Sequence, residues 1–122
     1  MPLSSFRQVF FITLFVSCAA VVTWGIFRAT PPQAIFQQSD KLAHLLAFAG
    51  LAFTGRLALP FVWPSTYWPA IAMLSILMEY AQGQLQITRT SSIEDAIANL
   101  VGVCLAFIAL KIMGMGKKYL IK

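Results

Sequence analysis

The sequence predicts an all-α protein, a four-helix transmembrane bundle with both chain termini in the cytoplasm. Of 122 residues, 59% are hydrophobic and only 11% are charged, whereas an ordinary soluble domain is about half apolar and about one-quarter charged. The apolar residues form runs that are long enough to cross a bilayer and too unalternating for barrel strands. The cations lie at the ends of these runs. This composition excludes a water-soluble globule and a disordered chain.

Four apolar runs mark the helices, because a spanning helix needs about 20 residues at 1.5 Å of rise each. The first run, 9–27, is uncharged and flanked by Arg7 and Arg28. The second follows Lys41 and stops at Pro60, and the third is interrupted mainly by Glu79 and two glutamines. The fourth is polar only near its two ends. We therefore predict helices over about 8–28, 41–59, 66–86 and 93–114, in a single domain of residues 1–122.

The orientation follows from the cations near the helix ends, because positively charged segments stay on the cytoplasmic side. On one side lie six of them: Arg7, Arg56, Lys111, Lys117, Lys118 and Lys122. On the other side lie three: Arg28, Lys41 and Arg89. This count places both termini inside, and it explains the net charge of +5 without a nucleic-acid partner. We interpret Arg56 as a snorkelling anchor, and Trp63, Tyr67 and Trp68 as an aromatic belt at the inner interface.

The first helix has an alternative interpretation as a secretory signal, because the residues before Cys18 faintly resemble a lipoprotein cleavage site. The apolar run continues to Phe27, however, which exceeds the roughly 7 to 15 residues of a signal's apolar core. A retained helix is therefore the main expectation. Cys18 and Cys104 both lie in apolar runs, so we expect packed thiols and no disulfide framework.

Polar residues near the predicted outer side share helix faces, since residues three and four apart lie on one face. The candidate ligand-binding residues are Asp40, Lys41, His44, Glu79, Gln82, Arg89, Ser92, Asp95 and Asn99. Polar faces in hydrocarbon must turn toward each other or toward water, because an ionised side chain at the bilayer centre costs about 2.5 to 3.5 kcal/mol. Glu79 is the deepest, about 16 Å from Trp68 at the inner interface. We expect these faces to meet in one outward-facing site.

Structural explanations exist for single members of this set. Ser39 with Asp40, and Ser92 with Asp95, match helix N-caps. His44 and Asn99 match the hydrogen-bonding residues that join membrane helices, worth only about 0.6 kcal/mol each on average. Small residues are sufficient to hold helices together, and two helices carry stripes of them: Ala43, Ala47, Gly50 and Thr54, and Ala98, Gly102 and Ala106.

The ordered polar residues resemble the VanZ-like family of small bacterial membrane proteins. The matching elements are Asp40-Lys41-x-x-His44, Glu79-x-x-Gln82 and Arg89-x-x-Ser92-x-x-Asp95-x-x-x-Asn99-x-x-Gly102. They cover the predicted helices two to four. Two positions depart from the family pattern, with Leu45 in place of an aromatic residue and Ala106 in place of a glycine. The resemblance implies a cytoplasmic-membrane protein of the bacterial envelope, in a family whose founding member is associated with resistance to teicoplanin, a lipoglycopeptide antibiotic.

Three functions fit these residues. The first is a non-enzymatic envelope protein that binds a lipid-linked wall precursor or a lipopeptide through Arg89 and Lys41. The second is a membrane-embedded hydrolase or transferase, with Glu79 or Asp95 as general base and His44 as its partner. The third is a small proton-linked transporter that uses Glu79 and requires a homo-oligomer for alternating access. We expect no metal and no cofactor, because one histidine is too few for a His-rich site and no phosphate-binding glycine loop occurs.

Overall fold

The computed structural model describes residues 3–27, 39–85 and 93–114. These segments form four α-helices: α1 (Leu3–Phe27), α2 (Ser39–Ala58), α3 (Pro64–Leu85) and α4 (Ile93–Ile112). Within the described ranges the chain contains no strand. The prediction of an all-α fold with four helices is confirmed there.

Three helices begin earlier than predicted, and α2 does so by two residues, at Ser39. α1 begins at Leu3 and includes Arg7 and Gln8, because both are good helix formers and a charge ends an apolar run without ending a helix. α3 begins at Pro64, since proline is tolerated in a first helical turn, where its missing N–H has no partner to lose. For α1 and α3 the helix is therefore longer than the apolar run that predicted it.

α2 is the central helix, because it packs chiefly against α4 and α1, while α3 packs mainly against α4. Phe48 and Ala52 on α2 are completely buried. Around them lies one apolar core built from all four helices: Val22, Ile26, Leu51, Tyr67, Ile71, Val103 and Ala106.

Gly102 allows α2 and α4 to approach closely. A Cβ added there would lie 2.9 Å from the backbone nitrogen of Ala49 and closer still to the carbonyl oxygen of Leu45. The small-residue stripe of α4 thus packs on the backbone of α2. The stripe of α2 faces a different helix, because Gly50 lies against Cys18 of α1.

Large apolar side chains cover the outside of the described bundle. On α1, for example, Phe10, Val21 and Trp24 are 60%, 66% and 65% exposed. Two helical stretches, Ser5–Phe27 and Ile93–Ile112, are long and apolar enough to cross a membrane. Cys18 and Cys104 are both free thiols, as predicted, but Cys104 is exposed and only Cys18 is partly buried.

The α2–α3 connection corrects two predictions about side chains. Arg56 does not snorkel: it is completely buried, and its Nη1 donates hydrogen bonds to the carbonyl oxygens of Leu59 and Val62. Tyr67 does not lie in an exposed belt, because it is 6% exposed and donates its hydroxyl to the carbonyl oxygen of Ala52 at 2.6 Å. The guanidinium carbon of Arg56 lies 5.3 Å from the centre of the Tyr67 ring. Both side chains therefore fill the interior of the bundle at this end.

Candidate functional site

A polar cluster lies near the opposite end of the bundle, where α2 and α4 begin and α3 ends. His44 is five residues after the start of α2, Glu79 is six residues before the end of α3, and Asn99 is six residues after the start of α4. At 1.5 Å per residue, each lies about 8 to 9 Å inside its helix end. The antiparallel order of α2, α3 and α4 brings the three positions to one level.

The imidazole of His44 is held by a hydrogen bond to Asn99. The side-chain nitrogen of Asn99 donates to the carbonyl oxygen of Ser75 at 3.1 Å, so its amide oxygen faces His44. That oxygen lies 3.0 Å from His44 Nδ1. A carbonyl oxygen only accepts, so Nδ1 carries the proton. The predicted meeting of His44 and Asn99 is thus confirmed, and α2, α3 and α4 are joined through one amide.

Glu79 lies beside the same imidazole. Its Oε2 atom is 3.9 Å from His44 Nδ1, which is longer than a hydrogen bond. The side chains of His44 and Glu79 are only 7% and 3% exposed. A carboxylate and an imidazole therefore share a nearly dry space, in which electrostatic interactions are stronger than in water.

Asp95 and Lys41 extend the cluster toward the helix ends. Lys41 Nζ is 3.1 Å from a carboxylate oxygen of Glu94 and 4.0 Å from Asp95 Oδ1. The Asp95 side chain is 13% exposed, whereas that of Glu94 is 74% exposed. Lys41 thus lies against two carboxylates of α4, and the ligand contact predicted for it has to compete with them.

The remaining predicted residues divide into two groups. Gln82 is buried, but its side-chain nitrogen donates to the carbonyl oxygen of Ile26 at 3.0 Å, which ties α3 to α1 and not to His44. Arg89, Ser92 and the side chain of Asp40 lie outside the described residues. Their predicted roles stay predictions.

An apolar groove between α1 and α2 reaches the polar cluster at His44. Its volume is about 610 Å³, and most of its wall is formed by carbon. Lining side chains from α1 include Cys18, Val22 and Trp24, and those from α2 include Ala43 and His44. The sequence does not indicate this groove, because α1 carries no pattern of polar residues along it. The small residues Ser17, Cys18 and Gly25 on α1 were the available indication.

Three groups of the cluster have the chemistry of metal ligands. One donor atom each from His44, Glu79 and Asp95 lies within 4.8 Å of the other two. The same three residues were the candidates for acid–base catalysis. The sequence predicted that the helix faces carrying these residues meet, but it did not indicate how close the three donor atoms lie.

No family model, no curated protein and no solved structure matches the chain. Three features of the described residues bear on function: the groove, the polar cluster and the apolar exterior.

Proposed function

We propose that this chain is a VanZ-like protein of the cytoplasmic membrane that binds an amphiphile at an outward-facing site. In this proposal all four helices cross the bilayer and both termini are cytoplasmic. The ligand is a lipid-linked wall precursor or a lipopeptide. Its apolar chain occupies the groove between α1 and α2, and its polar part contacts the cluster around His44.

The distribution of polarity supports insertion in the membrane. Apolar side chains cover the exterior, while His44, Glu79, Gln82, Asn99 and Arg56 are buried. A soluble monomer rarely exposes contiguous apolar patches of more than a few hundred Å². In lipid the same exterior is well solvated, and polar side chains face the bundle interior.

The single observation that carries the binding proposal is the position of His44. Its side chain lines the apolar groove and also forms the hydrogen bond to Asn99. An apolar cavity that ends at a few converging polar groups is the usual form of a small-molecule site. An amphiphile has the same division between an apolar chain and a polar end.

The geometry favours binding over acid–base catalysis. A general base and its partner are expected within about 2.6 to 3.2 Å of each other or one water apart. His44 Nδ1 lies 3.9 Å from Glu79 Oε2, and its proton is directed to Asn99. The cluster is therefore arranged to hold a polar group rather than to pass a proton from His44 to Glu79.

Mass spectrometry of lipids and wall precursors that co-purify with the full chain tests the proposal. Ala43→Phe fills the groove with an aromatic ring, and Ala70→Phe places the same ring on an exposed position of α3 that does not line the groove. We expect an amphiphile to be retained by the wild type and Ala70→Phe and lost from Ala43→Phe. Equal retention by both variants would contradict binding in the groove.

Orientation requires a separate test. A reporter fused after Lys122 is expected to be active only in the cytoplasm. Activity only outside the cytoplasm would reverse the bundle, and the polar cluster would then open inward.

A further inference from the structure

We propose that the end of the bundle opposite the polar cluster binds the head groups of anionic phospholipids. At this end, called here the connection end, α1 begins, α4 ends and residues 59–63 connect α2 to α3. The inference rests on the proposed insertion in a membrane, but it does not depend on the amphiphile in the groove. In the proposed orientation these lipids belong to the cytoplasmic leaflet.

Arg7 and Lys111 lie at one level of the connection end, although they belong to different helices. The side-chain nitrogen of Gln8 donates to the carbonyl oxygen of Ala58, the last residue of α2, so the adjacent Arg7 is level with the end of α2. Leu110 packs in a buried cluster with the last turn of α2, which places Lys111 at the same level. Both cationic side chains are exposed.

The charges of the chain are divided between the two ends of the bundle. All four acidic residues belong to the half that holds the polar cluster: Asp40, Glu94 and Asp95 lie near the starts of α2 and α4, and Glu79 lies in the last two turns of α3. Within the described residues, the connection end therefore carries cations and no carboxylate. A surface of this kind is attracted to the negative potential of anionic lipids.

The α2–α3 connection presents two aromatic rings at the same end. Phe61 and Trp63 are 74% and 67% exposed. The hydrogen bonds from Arg56 to the carbonyl oxygens of Leu59 and Val62 hold the connection in one shape. Tryptophan rings are enriched at the level of the lipid head groups. Rings at that level place the two cations of this end at the depth of the phosphates.

A bilayer is the source of phosphate that suits this surface. Arg7 and Lys111 are exposed on separate helices, so a free anion would meet each of them in water, where single exposed charge pairs contribute little. The surface of an anionic bilayer carries a negative potential across the whole end of the bundle. It therefore attracts both cations at once.

Native mass spectrometry of the full chain tests the proposal. The chain is released from nanodiscs that contain equal amounts of phosphatidylglycerol and phosphatidylcholine with the same acyl chains, and the retained lipids are counted. We expect phosphatidylglycerol to be enriched on the wild type. Arg7→Gln and Lys111→Gln should each lower this enrichment about fivefold, since a cation near an anionic lipid surface contributes about 1 kcal/mol. Because both side chains are exposed, the Tm of these variants should equal that of the wild type.

Arg28→Gln is the matched control, because it removes the same charge from the position that follows the other end of α1. Its enrichment should equal that of the wild type. Salt at about 1 M, which shortens the Debye length to about 3 Å, should abolish the enrichment in every protein. Inorganic phosphate should not compete with phosphatidylglycerol more than sodium chloride of the same ionic strength does.

The possible results separate this inference from the proposed function. Equal enrichment on the wild type and on the double variant of Arg7→Gln with Lys111→Gln would overturn the lipid surface and leave membrane insertion intact. Equal losses from Arg28→Gln and Arg7→Gln would also overturn it, and specific competition by inorganic phosphate would make it a general anion site. Failure of the full chain to enter nanodiscs of phosphatidylcholine alone would overturn both the insertion and this inference.

Discussion

The two ends of the bundle both bury polar side chains, but they satisfy them in different ways. At the α2–α3 connection, Arg56 and Tyr67 direct their hydrogen atoms to backbone carbonyl oxygens. At the other end, His44 forms a hydrogen bond to the Asn99 side chain, lies beside Glu79 and lines a groove. Hydrogen bonds to backbone carbonyl oxygens support the fold at both ends, since Asn99 also donates to the carbonyl oxygen of Ser75. The two ends differ in that only the cluster end places a polar side chain, His44, in the wall of the groove.

Arg56 should give the largest loss of stability. Arg56→Met keeps the volume of the side chain but removes both donors from the carbonyl oxygens of Leu59 and Val62. A hydrogen bond to a charged group contributes about 1.5 to 3 kcal/mol. We therefore expect the free energy of unfolding to fall by about 3 kcal/mol or more. Thermal unfolding in detergent measures this loss of stability. A folded fraction that had lost the amphiphile would mean that this end also belongs to the site.

Gly102 tests the packing that brings α2 and α4 together. Gly102→Ala places a methyl group against the backbone of Leu45 and Ala49, and overpacking of this kind costs about 1 to 3 kcal/mol. Gly25→Ala is the control, because nothing lies within 4 Å of its added Cβ. The control should be neutral or slightly stabilising, since alanine favours helix. Equal stability of both variants would contradict the close approach of the two helices.

Tyr67 should show the smallest effect. Tyr67→Phe removes only the hydroxyl that donates to the carbonyl oxygen of Ala52, and an ordinary hydrogen bond contributes about 1 kcal/mol. Amphiphile retention should be unchanged, because Tyr67 lies at the structural end. The same unfolding assay with parallel mass spectrometry checks both statements. Reduced retention would contradict the claim that the end with Tyr67 takes no part in binding the amphiphile.

The sequence predicted correctly the features that depend on the length of apolar runs and on the spacing of polar residues. Apolar runs identified four helices, and the spacing of polar residues indicated that His44 and Asn99 would meet, because residues four apart lie on one helix face. It was misleading for Arg56, since a cation near a helix end has the same sequence pattern whether it extends to an interface or folds back onto a loop. The partner of Gln82 and the groove depend on how α1 packs against its neighbours, and α1 is almost uniformly apolar.

The most direct test of the distinction between the two ends is Glu79→Gln, measured for stability and retention in the same preparation. Glutamine keeps the shape of the side chain and removes the charge, so membrane accumulation and Tm should be unchanged or higher. Retention of the amphiphile should fall, because Glu79 lies beside the imidazole that borders the groove. A collapse of stability with full retention in the surviving folded fraction would contradict the account and would make Glu79 a structural counterpart of Arg56.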